Sequence, residues 1–400
     1  MTDWKTYKGQ YPWPLVPVVD KTSYNEGNKI STSTDPTWKV NDNLGHTPIT
    51  TIHEPCSYWP KMSVPILNPR AYTYITALFN DTPYPVARVN YYTSVLDPTF
   101  ASVPDEATTS GAFPQVYNGK LYVWNKSITR STFTVWEVDL ELKVVTRYID
   151  LTPPDGLNFP GPGYLVGNML YVTCSCDAIA GPNFRMRIYE IDLSTFTATG
   201  RNVGIAFSYG SLLGIRVTGN FIFLVTWTNV VVFSLASFTY LSSYMFTGAS
   251  DGYCAAFNNE KTECVIARNN YTPCLMKVSL TNPPVLLGTQ NTSWLPNSNV
   301  MSMATDINNN VYVSDKFNLK LYKFNLTAFD TAVLYDYLST GTAFTGLVCA
   351  GEDLWCINNY TWINVYRKIV RIKLATMAVD HIINIPSSPY SNSIHSVVIY

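Results

Sequence analysis

Four histidines and eight cysteines are the side chains of this chain best suited to metal or acid–base chemistry. His46 and His53 lie in the N-terminal stretch, while His381 and His395 lie far along the sequence. No His-x-x-His, His-Glu-x-x-His or paired Cys-x-x-Cys occurs, so the usual ligand spacings for a transition metal are absent. Asp105, Asp155 and Asp177 read as solvated carboxylates in loops. On these grounds the sequence implies no enzyme, no cofactor and no metal site.

The elements that must carry these residues repeat. The stretches "VWEVDL", "IYEIDLSTF", "VVFSLASF", "LMKVSLTNPP", "LYKFNLTAF" and "IVRIKLATM" align on Leu140, Leu193, Leu235, Leu280, Leu326 and Leu374. A spacing of about 45 residues suits four short strands with their turns, the size of one propeller blade. Upstream of each lies a tight turn of the kind that joins hairpin strands: Asn118-Gly119, Gly167-Asn168, Gly219-Asn220, Asn258-Asn259, Asn308-Asn309 and Gly351-Glu352. An apolar, β-branched strand follows each turn, and helical periodicity is almost absent. Six units run from about Phe113 to Ile385. "IHSVVIY" at the C-terminus and "AYTYITALF" with "VARVNYYTSV" near the N-terminus are left over. Joined, they predict a seventh blade shared by the two ends, which removes exposed sheet edges. The expected fold is an all-β, seven-bladed propeller over residues 66–400. It follows an extended arm, residues 1–65, that is rich in Pro, Thr and Asn and holds Trp4, Trp13, Trp38 and Trp59.

The stretch "TDINNNVYVSDKFNLKLYKFNL" resembles a blade of the NHL and gluconolactonase-like propellers, whose blades carry a Gly-Asn-x-Tyr-Val-x-Asp core. Gluconolactonase-like propellers place Glu, Asn and Asp around a central metal. No such set maps onto the inner strands here, so the resemblance implies a non-catalytic blade. The WD dipeptide and the kelch double glycine are missing.

With strands A to D running outward from the centre, A–B and C–D turns share one face, and B–C and D–A loops share the other. The long connections, near residue 105 and at 152–163, 176–184, 290–299 and 384–393, all fall on the B–C/D–A face. That face is the expected binding surface. Its candidate contacts are Phe159, Trp227, Trp294, Tyr360 and Tyr390, aromatics that can stack on a sugar or anchor a protein. Glycosylation candidates at Asn80, Asn125, Asn270, Asn291 and Asn359 are assigned to the same loops, and the sequon at Asn325 to a strand. Cys254 and Cys264, and Cys349 and Cys356, flank A–B turns and are disulfide candidates, with buried free thiols as the other reading. Cys174 and Cys176 point to one side of a strand.

Charged residues make up 14% of the chain against roughly 25% in an average globular protein, and the formal net charge is −1. A chain with no basic run has no electrostatic handle for nucleic acid. No run of about 18 apolar residues occurs, so no transmembrane helix is expected, and the N-terminus has no apolar core of signal-peptide length. Low charge, richness in Tyr, Asn and Thr, and the tryptophan arm resemble surface proteins of archaeal viruses. The preferred function is a non-enzymatic virion protein (spike, turret or tail component), located on the virion surface. Its arm would dock on other virion proteins, and its long-loop face would meet a host receptor or glycan. A secreted adhesin propeller and a metal-dependent propeller hydrolase or lactonase are the alternatives.

Overall fold

The computed structural model describes residues 72–77, 84–90, 95–97, 102–103, 113–127, 132–151, 158–176, 185–206, 212–226, 228–246, 252–268, 275–290, 300–315, 320–327, 329, 332–335, 344–358, 368–384 and 394–399. The N-terminal arm and its four tryptophans lie outside the described residues. The first strands are β1 (Tyr72–Ala77), β2 (Tyr84–Asn90), β3 (Leu96–Asp97) and β4 (Ser102–Val103). Blade one comprises β5 (Phe113–Tyr117), β6 (Lys120–Ser127), β7 (Thr132–Asp139) and β8 (Val144–Leu151). Blade two comprises β9 (Asn158–Val166), β10 (Met169–Cys176), β11 (Arg185–Asp192) and β12 (Thr197–Ala206). Blade three comprises β13 (Leu212–Thr218), β14 (Phe221–Thr226), β15 (Asn229–Ser234) and β16 (Tyr240–Met245). Blade four comprises β17 (Gly252–Phe257), β18 (Glu263–Arg268), β19 (Leu275–Ser279) and β20 (Leu286–Gln290). Blade five comprises β21 (Val300–Thr305), β22 (Asn310–Asp315), β23 (Lys320–Asn325) and β24 (Ala332–Tyr335). Blade six comprises β25 (Phe344–Ala350), β26 (Asp353–Asn358), β27 (Lys368–Lys373) and β28 (Ala378–Asn384). The last strand is β29 (Ile394–Ile399).

The expected count of seven blades is corrected to six. Six sheets have the four-stranded antiparallel form in simple sequence order. The remaining strands make a five-stranded sheet of different construction, β29-β1-β2-β3, with β4 also paired to β2. Its outer positions are two separate two-residue strands where every blade has one continuous strand D. "TSVLDPTFASV" explains the break, because Pro98 cannot donate to a ladder and splits the segment.

The repeated leucine has a structural cause. In every blade it leaves strand C and donates its backbone N–H to the turn between strands A and B. Leu140 bonds the Gly119 carbonyl, Leu193 that of Asn168, Leu235 that of Asn220, Leu280 that of Thr262, Leu326 that of Asn309 and Leu374 that of Glu352, at 2.7–3.2 Å. The turns suit this role. Asn118 and Gly119 have φ of 47° and 74°, the left-handed pair of a type I′ hairpin turn.

Hydrophobic cores lie between blades. One joins Trp124 and Phe133 of blade one to Leu170 and Tyr189 of blade two, and another joins Phe223 and Phe246 of blade three to Ile266 and Met276 of blade four. Strands B and C are therefore buried on both faces, while strand D of blade one alternates with solvent.

A polar device recurs between the first blades. In blade one the buried Glu137 accepts from Tyr122 Oη (3.0 Å), Thr146 Oγ1 (2.7 Å) and Arg147 Nε and Nη2 (3.0 and 2.9 Å). The Arg147 guanidinium then lies 4.6 Å from the ring centroid of Phe196, in the next blade. Blade two repeats it with Tyr171, Thr199 and Arg201 around Glu190, and Arg201 lies 4.4 Å from Phe238 of blade three. Burial by itself raises the Glu137 carboxyl. The hydrogen bonds from Arg147, Thr146 and Tyr122 outweigh it and leave the group below its ordinary value.

The depressed value means that the stabilisation is present above the unfolded value near 4.5 and is lost as pH falls through the lower folded value. Glu137→Gln should therefore destabilise the chain by about 2 kcal/mol at neutral pH. In urea denaturation between about pH 6 and about pH 3, the variant should lose less stability than the wild type.

Candidate functional site

The innermost strands contact one another around the ring, β5, β9, β13, β17, β21, β25 and β29 in turn. Five of them line a cavity of about 430 Å³ at the end of the channel where the A–B turns sit. Across the six blades and β29, Arg216 is the one Asp, Glu, Lys or Arg in an innermost strand. Its strand "LLGIRVT" is otherwise neutral, so the guanidinium is held where the chain supplies little else that is charged.

Arg216 is half-buried and sits beside rings from both neighbouring blades. Its Cζ lies 4.8 Å from the Tyr164 centroid on β9 and 3.9 Å from the Phe257 centroid on β17. One Nη1 hydrogen bond goes to the Ile215 carbonyl at 2.8 Å. No carboxylate pairs with Arg216 among the described residues. Burial draws its pKa below the ordinary arginine value, with Tyr164 and Cys264 acting the other way. A guanidinium nonetheless stays charged at any physiological pH. Gly214 makes room for this arrangement, since a Cβ there would meet Phe257 Cε2 at 2.6 Å.

The A–B turn of blade four is longer than the two-residue turns of blades one, two, three and six, and it places Lys261 at the cavity rim with φ of 60°. Lys261 Nζ lies 5.5 Å from the centroid of the same Tyr164 ring. Asn258 holds the turn by accepting from the N–H groups of Thr262 and Glu263 at 2.8 and 2.9 Å. Thr305 also lines the cavity, and its Oγ1 is buried without a hydrogen-bond partner. Cys349 also lines the space, and burial pushes its thiol up, as it does for Cys254. Cys264 is pushed up to about 12, chiefly by burial. These thiols stay protonated at neutral pH and supply no thiolate nucleophile. The lining thus offers two cations, aromatic walls and a free hydroxyl, with no Asp or Glu. This composition suits an anion.

Of the residues singled out from the sequence, Cys349 lines the cavity, and the other described ones do not. Phe159 is in strand β9 opposite Ser175 rather than in a loop, towards the D–A end of the strand. Trp227, Trp294, Tyr360 and Tyr390 lie outside the described residues, as do Asn80, Asn270, Asn291 and Asn359. Asn125 is corrected from loop to strand. It is fully buried in β6, and its Oδ1 accepts from Trp136 Nε1 at 3.0 Å, so it is not accessible to a glycan. The disulfide pairings are also corrected. Cys254, Cys264, Cys349 and Cys356 are free, and Cys254 faces Ala267 while Cys264 faces Phe257. Likewise Cys349 faces Leu354 and Cys356 faces Leu347. His381 is exposed on β28, and no group of three His, Cys, Asp or Glu converges among the described residues. Gly248-Ala249-Ser250-Asp251-Gly252 has the spacing of a nucleophile elbow, but it joins β16 to β17, strand to strand, where an elbow joins strand to helix. The sequence reading missed this cavity; the signal that could have found it is the lone arginine of an inner strand.

No family model matches the chain, and no curated protein matches it. Solved structures do. A protein from Lactobacillus plantarum aligns with a TM-score of 0.61 at 11% identity, covering 82% of this chain and 99% of that one. A putative 6-phosphogluconolactonase from Bacteroides fragilis gives 0.56 at 12%, covering 83% and 99%. Virginiamycin B lyase from Staphylococcus aureus gives 0.50 at 10%, covering 69% and 85%. At such identity the likeness carries the fold: the chain is a β-propeller with lactonase-like structural neighbours. The expectation of a non-enzymatic protein is corrected, because this fold is shared with a lyase and a putative lactonase.

Gly214→Ala should force the Phe257 ring away from Arg216 and destabilise the protein by about 1–3 kcal/mol. Thermal denaturation measures this, and an unchanged midpoint would show that the close approach is not needed.

Proposed function

We propose that this β-propeller binds an anionic small molecule at the A–B end of its channel. Arg216 carries the reading, as a half-buried guanidinium between two rings with no carboxylate partner among the described residues. Withdrawing a cation from water costs several kcal/mol, and cation–π contacts return only about 0.5–2 kcal/mol. An anion on the remaining N–H groups offsets the difference and forms charge-assisted hydrogen bonds. The cavity lies within the roughly 300–1,000 Å³ range of ligand sites.

Calorimetric titration of the full chain with benzoate and benzyl alcohol tests this. Benzoate should bind and the neutral alcohol should not. Arg216→Gln should weaken benzoate about 10- to 100-fold, the loss of a charged hydrogen bond. Equal binding by the variant would overturn the assignment. Mass analysis of the recovered ligand reports turnover in the same samples.

A second reading concerns assembly. Tyr240, Leu241 and Met245 on β16 are 40–67% exposed, and Val285 and Leu287 stand exposed beside them on blade four. Ser242 Oγ donates to Asn282 Oδ1 at 2.5 Å and ties these two rims together. Apolar side chains on a rim suit contact with another protein. With the low charge and the tryptophan arm, they support the proposal that the protein is a virion surface component bound to other virion proteins, with a host receptor or glycan as its target. Mass spectrometry of cells, secreted fraction and sedimenting particles should then find it in particles. Recovery only as a free secreted protein would favour an adhesin.

A further inference from the structure

Lys261 adds a second cation to the channel cavity, and its role rests on the anion-binding reading above. This residue comes from blade four, yet its ammonium reaches the ring of Tyr164 on blade two, 5.5 Å from the centroid. Arg216 of blade three reaches the same ring at 4.8 Å. Three blades thus bring two cations to one aromatic side chain.

The acids nearest Lys261 in sequence are turned away from it. Glu260 accepts from Asn309 Nδ2 with both carboxylate oxygens, at 3.1 and 2.9 Å. Glu263 pairs with Lys277 at 2.9 Å. Among the described residues no carboxylate pairs with Lys261. The turn that presents it is fixed rather than free. Asn259 donates from its backbone N–H and from Nδ2 to Asn309 Oδ1, each at 2.9 Å, and from Nδ2 to the Asp306 carbonyl at 2.7 Å. This clamp joins the A–B turns of blades four and five, and its Asn309 also engages the Glu260 carboxylate. The cavity is left with two positive charges and no negative one.

We infer that the ligand of this site is a compact dianion, a phosphate monoester or a dicarboxylate, with one charge on Arg216 and the other on Lys261. Two like charges beside one ring repel each other, and a single negative charge relieves only one of them. A dianion relieves both, and the unpartnered Thr305 hydroxyl is a neutral donor among the lining residues. Leu213 and Met303 give the remainder of the ligand an apolar wall.

The full chain would be titrated calorimetrically with inorganic phosphate, succinate and acetate at about pH 8, where phosphate is mostly dianionic. At least one dianion should bind about 10-fold or more tightly than acetate. Lys261→Gln should remove that advantage and leave acetate within about twofold, and Lys261→Arg should restore it. The tighter of phosphate and succinate identifies the source of the charge. Acetate binding as tightly as both dianions, or Lys261→Gln behaving as wild type, overturns the dianion while leaving the Arg216 anchor in place. Failure of the wild type to bind any of the three, with benzoate also unbound, overturns both readings. Lys261 is exposed on a turn, so loss of folding does not confuse the comparison.

Discussion

A four-stranded sheet with two apolar faces cannot bury either face by itself. This constraint decides most of the architecture. Strands such as "FIFLVT" and "NVVVFS" are buried nearly end to end, so each blade must have a blade on either side. The cores accordingly form between sheets, with residues such as Ile188 of blade two packing with Leu224 and Phe233 of blade three. A ring satisfies every sheet at once. The residual gap is closed by the sheet in which β29 pairs with β1, so inner-strand contacts continue from the last blade to the first.

Polar groups then fix how the blades are set against each other. Glu137 and Glu190 are nearly fully buried, which is costly for a carboxylate without partners. Each is satisfied by a tyrosine, a threonine and an arginine of its own blade, and the arginine then covers a phenylalanine of the next. Phe196 and Phe238 adopt φ of 53° and 54°, a left-handed conformation uncommon for bulky residues, at the turns that bring their rings under the guanidinium. The buried ion pair serves the interface as well as the blade. Arg201 strengthens the link by also donating to the Leu235 carbonyl.

The channel departs from this pattern of paired charges. Several other basic groups among the described residues find acids: Lys120 with Asp139, Lys277 with Glu263, and Arg371 with Asp353. In a chain with so few charged residues, two cations left without acids beside one ring are a local exception, and they are kept by packing from several blades. Local rules are most often broken at functional sites. The same exception places the site on the face opposite the long loops, whose length had made that other face the expected binding surface.

The repeat was legible from sequence alone, because its causes are local. A turn of Asn or Gly, a β-branched strand and a leucine whose N–H returns to that turn all lie within one blade. All-β class and blade spacing follow from that unit. Register and closure were decided elsewhere. The register set by the five-residue turn between β17 and β18, which pairs Phe257 with Cys264 and Cys254 with Ala267, separates Cys254 from Cys264, although the sequence puts them on facing strands. The last sheet pairs residues 73–77 with 394–399, over three hundred positions apart; the leftover strands at the two ends pointed to that pairing, but its register and its split outer strand follow from no repeat. The site was least legible of all. Tyr164, Arg216 and Phe257 stand in three different repeats and meet only because the ring turns their inner strands toward one axis. Sequence by itself determined the blade, since a hairpin and its leucine bond need only neighbours. Only the tertiary structure decided the site, since its charges and rings come together through contacts between blades.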